Sequence, residues 1–127
     1  MAQDITPINN TGQPHGYWEC YYPSGQLFSK GNYVNNSKEG DWETFHENGQ
    51  LGSKGNYTNN KKQGHWKCYY SNGQLNYSGH YVDGIKAGAW ELYYPNGRLN
   101  YMGTYIDDKQ HGYYEWYDVN DVSGDNL

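Results

Sequence analysis

Five glycines spaced 24 residues apart, Gly16, Gly40, Gly64, Gly88 and Gly112, mark a tandem repeat that runs through its full copies without insertion or deletion. The strings GDWETFHENGQL from 40, GHWKCYYSNGQL from 64 and GAWELYYPNGRL from 88 display it most plainly. Two residues after each glycine stands a large ring, Trp18, Trp42, Trp66, Trp90 and then Tyr114, and three residues later a second, Tyr21, Phe45, Tyr69, Tyr93 and Tyr117. Leu27, Leu51, Leu75 and Leu99 follow, then Gly31, Gly55, Gly79 and Gly103, then Tyr33, Tyr57, Tyr81 and Tyr105. Four full units and a first half of a fifth result. A unit this short contacts only its neighbours when stacked, so the chain must build an elongated array in place of a globular core.

Each unit reads as a β-hairpin: a short aromatic run, a Ser-Gly or Asn-Gly turn, then a second run such as LFSKGNY. Asn-Gly accepts the positive φ of a two-residue hairpin turn, and the glycine density disfavours helix. Such a turn places Trp42 opposite Gly55 and Gly40 opposite Tyr57, so that each ring is expected to lie on the bare backbone of the glycine facing it. The same register sets Glu19 against Lys30 and Glu43 against Lys54, opposite charges on the other face. It predicts no charge pair for Lys67 with Ser78 or Glu91 with Met102. The expected fold is all-β, a single-layer twisted antiparallel sheet of stacked 24-residue hairpins spanning residues 14–118.

Leu, Ile, Val and Phe together number only sixteen in 127 residues, a level that would ordinarily predict disorder. Sixteen Tyr and five Trp reverse that reading, since each ring buries about 150–250 Å² and stacked rings can form a continuous seam. Cys20 and Cys68 hold equivalent places four strands apart, about 20 Å, far beyond the ~7 Å reach of a disulfide. They are expected as free thiols. No charged-then-apolar leader opens the chain and no apolar run approaches ~18 residues, which together with free thiols points to the cytoplasm. Residues 1–13 read as a flexible arm and 119–127 as an acidic tail.

Residues that recur at every period are explained by architecture, so chemistry would have to lie in the exceptions. No phosphate loop, zinc-spaced Cys/His set or nucleophile motif is present. The register pairs His65 with His80, but two imidazoles fall short of the three or four ligands a metal site needs. No metal, no cofactor and no catalytic residue is expected. His15, His46 and His111 stand alone. Lys38, Lys62 and Lys86 recur two residues before successive unit glycines and are expected along one edge, as a basic row or as solubilising groups. A net charge of -5 argues against nucleic acid and against phospholipid contact. The Trp row is expected to share its face with the Leu, Gly and Tyr rows, leaving Tyr21, Phe45, Tyr69, Tyr93 and Tyr117 as an exposed stripe on the other. Tyr17, Asp41, His65 and Ala89 vary on that face and would tune specificity.

The pattern G-x-W/Y-x-x-Y/F, N-G-x-L, G-x-Y resembles the MORN repeat over about residues 14–117, in particular the bacterial and viral variant often labelled an antitoxin family. That resemblance implies a sheet acting as a scaffold or binding module for proteins, with phospholipid headgroups also proposed for eukaryotic members; the antitoxin label implies sequestration of a toxin by direct contact. Enrichment in Asn, Lys and Tyr fits an AT-rich genome, as in a bacterium or phage. The leading expectation is therefore a non-enzymatic module that engages a protein partner through an aromatic sheet face, as an antitoxin or as a viral protein capturing a host factor. The alternative is a protein that sequesters a small molecule or nucleotide on aromatic rings with nearby lysines. Open end strands leave monomer and edge-mediated homodimer both in play.

Overall fold

The computed structural model describes residues 4–106 and 109–116, with side chains through 106 and at Lys109. Nine strands follow one another: β1 (Gly16–Tyr21), β2 (Leu27–Val34), β3 (Ser37–Phe45), β4 (Leu51–Thr58), β5 (Lys61–Tyr69), β6 (Leu75–Val82), β7 (Ile85–Tyr93), β8 (Leu99–Ile106) and β9 (Lys109–Trp116). They form one antiparallel sheet in chain order. This is the expected sheet of stacked hairpins. Eight inter-strand steps make it about 38 Å long. Tyr117 and the acidic tail lie outside the described residues.

Within each hairpin the expected register holds: Trp42 faces Gly55, Gly40 faces Tyr57, Glu43 faces Lys54 and Glu19 faces Lys30. The turn that produces it differs from the expected one. His46 N–H donates to the Gln50 carbonyl at 2.8 Å and Gly49 N–H to that of His46 at 2.9 Å, with Gly49 at φ 89. This is a three-residue loop closed by a left-handed glycine. Phe45 then pairs with Leu51, and Gly52 is left over as a bulge that restores the register a two-residue turn would have given. Two-residue left-handed turns occur instead between units, at Asn35-Asn36, Asn59-Asn60 and Asp83-Gly84, with φ between 44 and 81.

That bulge moves a whole row. Cross-strand partners share a face, and Tyr21 pairs with Leu27, Phe45 with Leu51, Tyr69 with Leu75 and Tyr93 with Leu99. The leucines therefore accompany the second aromatic row, contrary to the expected grouping with Trp. A second irregularity lies between units, where Lys30 faces Glu43 but Asn32 faces Glu39, so that residues 40–42 stand opposite Gly31 alone. Gly40 carries φ 78 there, and a Cβ on it would meet nothing within 4 Å. Its glycine serves backbone conformation and not a ring.

The other glycine row does serve rings, but of the next unit. A Cβ on Gly31 would fall 2.2 Å from Trp42 Cδ2, one on Gly55 2.1 Å from Trp66, and one on Gly79 2.0 Å from Trp90. Each indole leans back across the inter-unit bulge and donates Nε1–H to a carbonyl of the preceding unit: Trp42 to Asn32 (3.1 Å), Trp66 to Asn56 (3.0 Å), Trp90 to His80 (3.2 Å). The expected partners, Trp42 with Gly55, face each other through backbone only. Trp42, Trp66 and Trp90 are consequently ties between hairpins.

Trp and Tyr rings alternate edge-to-face along this side, from Trp18 through Tyr33, Trp42, Tyr57, Trp66, Tyr81 and Trp90 to Tyr105, with centroids 5.1–6.5 Å apart. Edge-to-face pairs at this spacing add about 0.5–1.5 kcal/mol each beyond area burial. The ladder is the core: Trp66 is 4 % exposed and Trp90 2 % although the described residues form a single sheet. Residues 4–13, the described part of the expected loose arm 1–13, lie along β1. Ile5 exchanges two backbone hydrogen bonds with Glu19, Trp18 Nε1–H donates to the Pro7 carbonyl at 2.9 Å, and Tyr21 N–H to Asp4 Oδ1. Pro7 thus supplies for Trp18 the carbonyl that a preceding hairpin supplies elsewhere, and the arm covers part of the first edge.

Candidate functional site

Lys38 pairs with Tyr33 in the ladder and so projects on the Trp side. Its ammonium lies 5.0 Å from the centroids of both Trp42 and Tyr57; Lys62 lies 4.8 Å and 5.2 Å from Trp66 and Tyr81, and Lys86 5.1 Å from both Trp90 and Tyr105. The three lysines stand in a row one pair in from the inter-unit turns, over rings and not as free solubilising groups. Each is half-buried between two rings, a cation–π clamp worth about 0.5–2 kcal/mol, which places fixed positive charge over the aromatic ladder.

Beyond each tryptophan the Trp face continues through a position two residues later and its cross-strand partner. These pairs are Cys20 with Ser29, Thr44 with Ser53, Cys68 with Tyr77, and Leu92 with Tyr101. Small side chains in the first units leave this row open, and a groove of about 350 Å³ results. Its floor and walls are rings of Trp18, Phe28, Tyr33, Trp42, Tyr57 and Trp66, with Lys38, Lys62, Cys20 and Cys68 among its other lining residues. Over β6–β8 the same row is occupied: Tyr77 stacks on Trp90 at 5.7 Å and Tyr101 is 1 % exposed. A smaller depression of about 280 Å³ remains there beside Lys86. Burial, reinforced by a hydrogen bond with Cys68, pushes the Tyr77 phenol above its ordinary range. Cys20 and Cys68 are free and four strands apart, as the repeat predicts.

The groove was legible in principle. It lies where an otherwise constant repeat varies in side-chain volume, Cys, Thr, Cys and Leu against Ser, Ser, Tyr and Tyr. The hairpin register pairs these positions, but which rings of adjoining units wall them in depends on the inter-unit bulge.

On the opposite face the expected stripe of Tyr21, Phe45, Tyr69 and Tyr93 is half-buried rather than open, because the leucine row packs beside it. Tyr21 donates to Glu19 Oε1 at 2.6 Å and Lys30 lies 5.9 Å from the Phe45 centroid. Asp41, His65 and Ala89 are exposed there, as is Tyr17. Lys30 makes its ion pair with Glu43 of the next hairpin, at 3.5 Å. His65 and His80 do face each other, but His65 Nε2 sits 2.9 Å from Ser78 Oγ, and among the described residues no group of three or more His, Cys, Asp or Glu could hold a metal. His15 and His46 do not stand alone: His15 Nδ1 accepts from Asn35 N–H, and His46 Nε2 lies 2.8 Å from the Tyr69 carbonyl.

The sharpest electrostatic feature of that face is Glu19, held below its ordinary value by hydrogen bonds from Tyr17 and Tyr21 and by nearby Lys30. Tyr17 in turn is pushed up to about 12, chiefly by its hydrogen bond to Glu19. A phenol whose folded pKa is raised contributes stability that is complete below about pH 10, its unfolded value, and fades as pH rises toward 12. Tyr21 is raised by the same partner, so tyrosinate absorbance in Glu19→Gln should show two phenols, Tyr17 and Tyr21, returning toward pH 10. An unchanged titration would exclude the Tyr17–Glu19 hydrogen bond as the cause.

Among the described residues no helix is long and apolar enough to cross a membrane. A family model described as MORN repeat variant matches four consecutive windows, residues 14–35, 38–59, 62–83 and 86–107. No curated protein matches the chain. Solved structures with a similar trace include an S. aureus TarM mutant in complex with fondaparinux, α-GlcNAc-glycerol and UDP, at 10% identity and a TM-score of 0.46, covering 84% of this chain and 20% of that one. A second TarM crystal structure matches at 12% identity and the same TM-score of 0.46, with 85% and 20% covered. The chain thus spans about a fifth of those proteins. The four windows coincide with the four hairpin units and take in more than half of the sequence: the chain belongs to the MORN repeat variant family.

Proposed function

We propose that this chain is a non-enzymatic protein-binding module that engages its partner through the aromatic groove on the Trp face of β1–β5. Repeats of this family are commonly binding modules for proteins or membranes. The observation that carries the reading is the uneven filling of one row: Tyr77, Leu92 and Tyr101 fill it over the later units, whereas Cys20, Ser29, Thr44 and Ser53 leave about 350 Å³ lined by rings. A rigid, ring-lined recess lets an incoming side chain be buried without ordering the receptor first, which is how hot spots gain affinity. Capture of a toxin or of a host factor would be two forms of the same act.

A second reading, sequestration of a small molecule, draws on the groove's volume, which lies within the range of ligand pockets, and on Lys38 and Lys62 at its margin. Both are tested with Ser53→Tyr, which copies into the groove the side chain that Tyr77 and Tyr101 place in later units. Tagged wild type, Ser53→Tyr and Tyr69→Ala are used to capture ligands from lysate, with proteins and metabolites identified in the same eluate. A stoichiometric protein lost from Ser53→Tyr and kept by Tyr69→Ala is the expected result. A metabolite in its place selects the second reading, and a protein kept by Ser53→Tyr but lost from Tyr69→Ala moves the contact to the opposite face.

A further inference from the structure

The strand pairings divide the charges unequally between the two faces. Among the described residues, the positions that share the Trp face include Lys38, Lys62 and Lys86 and no Asp or Glu, whereas Glu19, Glu39, Asp41, Glu43 and Glu91 all pair on the other. A chain with net charge -5 therefore presents one face that is aromatic and wholly cationic. The sheet is about 10 Å thick, and the Debye length at physiological salt is about 8 Å. A ligand on the Trp face accordingly meets the lysines at full strength and the acids behind them largely screened.

We infer that the groove takes an extended acidic segment of a partner protein, with an aromatic or aliphatic side chain seated between Trp42 and Trp66 and flanking carboxylates on Lys38 and Lys62. This rests on the protein-binding reading above. The shape argues for it. The lining runs from Trp18 on β1 to Cys68 on β5, four strand steps or about 19 Å. About six residues of extended chain span that length, at ~3.3 Å each. The volume of about 350 Å³ spread over it accommodates one row of side chains and not a helix, whose diameter is about 10–12 Å. Lys38 and Lys62 stand two strands apart, about 10 Å. Carboxylates four residues apart in an extended segment share a side with the residue midway between them. They are ~13 Å apart at the backbone, and their side chains converge over the difference. Both ammonium groups are already oriented by their ring pairs, so little side-chain entropy is lost on meeting an acid.

The test pans a library of displayed twelve-residue peptides against the intact folded chain, then measures the enriched peptides by fluorescence anisotropy. Enrichment of sequences with two carboxylates four residues apart and an apolar residue midway between them is expected. Lys38→Gln with Lys62→Gln should weaken them about tenfold or more, equivalent to ~1.4 kcal/mol, and Lys54→Gln with Lys67→Gln, an equal charge change on the other face, less than twofold. Neutral or basic winners, no enrichment, or equal loss in both double variants overturn the acidic-segment inference. If such winners are still lost from Ser53→Tyr, the groove reading survives alone; if Ser53→Tyr binds them unchanged, both fall. Vesicles of phosphatidylserine and phosphatidylcholine form the opposing arm: Lys38- and Lys62-dependent binding to them, with no peptide enriched, would replace the protein segment by a lipid surface.

Discussion

Gly55→Val should lower the melting temperature by about 10 °C, corresponding to roughly 3 kcal/mol for a domain of this size. The added Cβ would lie 2.1 Å from Trp66 Cδ2 and 2.2 Å from Cε2. Relief requires the indole to lift, yet that indole donates to the Asn56 carbonyl and is clamped between Tyr57, Tyr81 and Lys62. Steric and hydrogen-bond costs therefore add. Gly40→Asn is the informative comparison. A side chain there meets open space, and Asn tolerates φ 78, so a change within about 1 kcal/mol is expected. Gly55→Asn should cost nearly as much as Val. Equal responses at the two sites, by thermal melting monitored at a near-ultraviolet tryptophan band, would show that the two glycine rows do not serve the different purposes assigned to them.

Those two rows also mark what sequence reasoning reached. A constant 24-residue period and a turn signal sufficed for the hairpins and their internal register, because any turn that restores pairing by an even number of residues leaves Trp42 opposite Gly55. The partners across units were not legible. Residues 40–42 facing Gly31 alone arise from a bulge whose existence depends on two hairpins meeting, and it is this bulge that sends each indole back onto the preceding unit. The leucine row was misplaced for a similar reason, since one extra residue at Gly52 flips everything between it and the turn to the other face. Alternation is a reliable guide only along uninterrupted strand.

The candidate site followed the same division. His65 beside His80 and the pairing of Glu19 with Lys30 were reachable from register. That the lysines would sit over rings was not, because a residue near a turn has no face until the inter-unit pairing of Lys38 with Tyr33 assigns one. Once it is assigned, the separation of charge follows from strand parity: Lys38 and Trp42 are four residues apart across an inserted pair, while Glu39, Asp41 and Glu43 keep to the opposite parity. Sequence held the information but not the phase.

Trp66→Ala carries the second large effect, about 3–5 kcal/mol, or a fall of some 10–20 °C. The indole is 4 % exposed, covers Gly55, bonds the Asn56 carbonyl, meets two tyrosine rings and holds Lys62. Removing it leaves a strip of backbone bare between the second and third units and unties the ladder at its middle. The same change at Trp18 should cost only about 1–2 kcal/mol, because that ring is half-exposed, has Tyr33 as its ladder neighbour and ties a short arm, not a hairpin, to the sheet. In a quasi-one-dimensional array the loss is local to the broken joint. Amide hydrogen exchange of Trp66→Ala should accordingly speed most in β4 and β5 and least in β1 and β2 and in β7 and β8. Uniform acceleration along the sheet, or equal melting shifts for the two variants, would mean that the units are held by something other than the tryptophan each one lays on its predecessor.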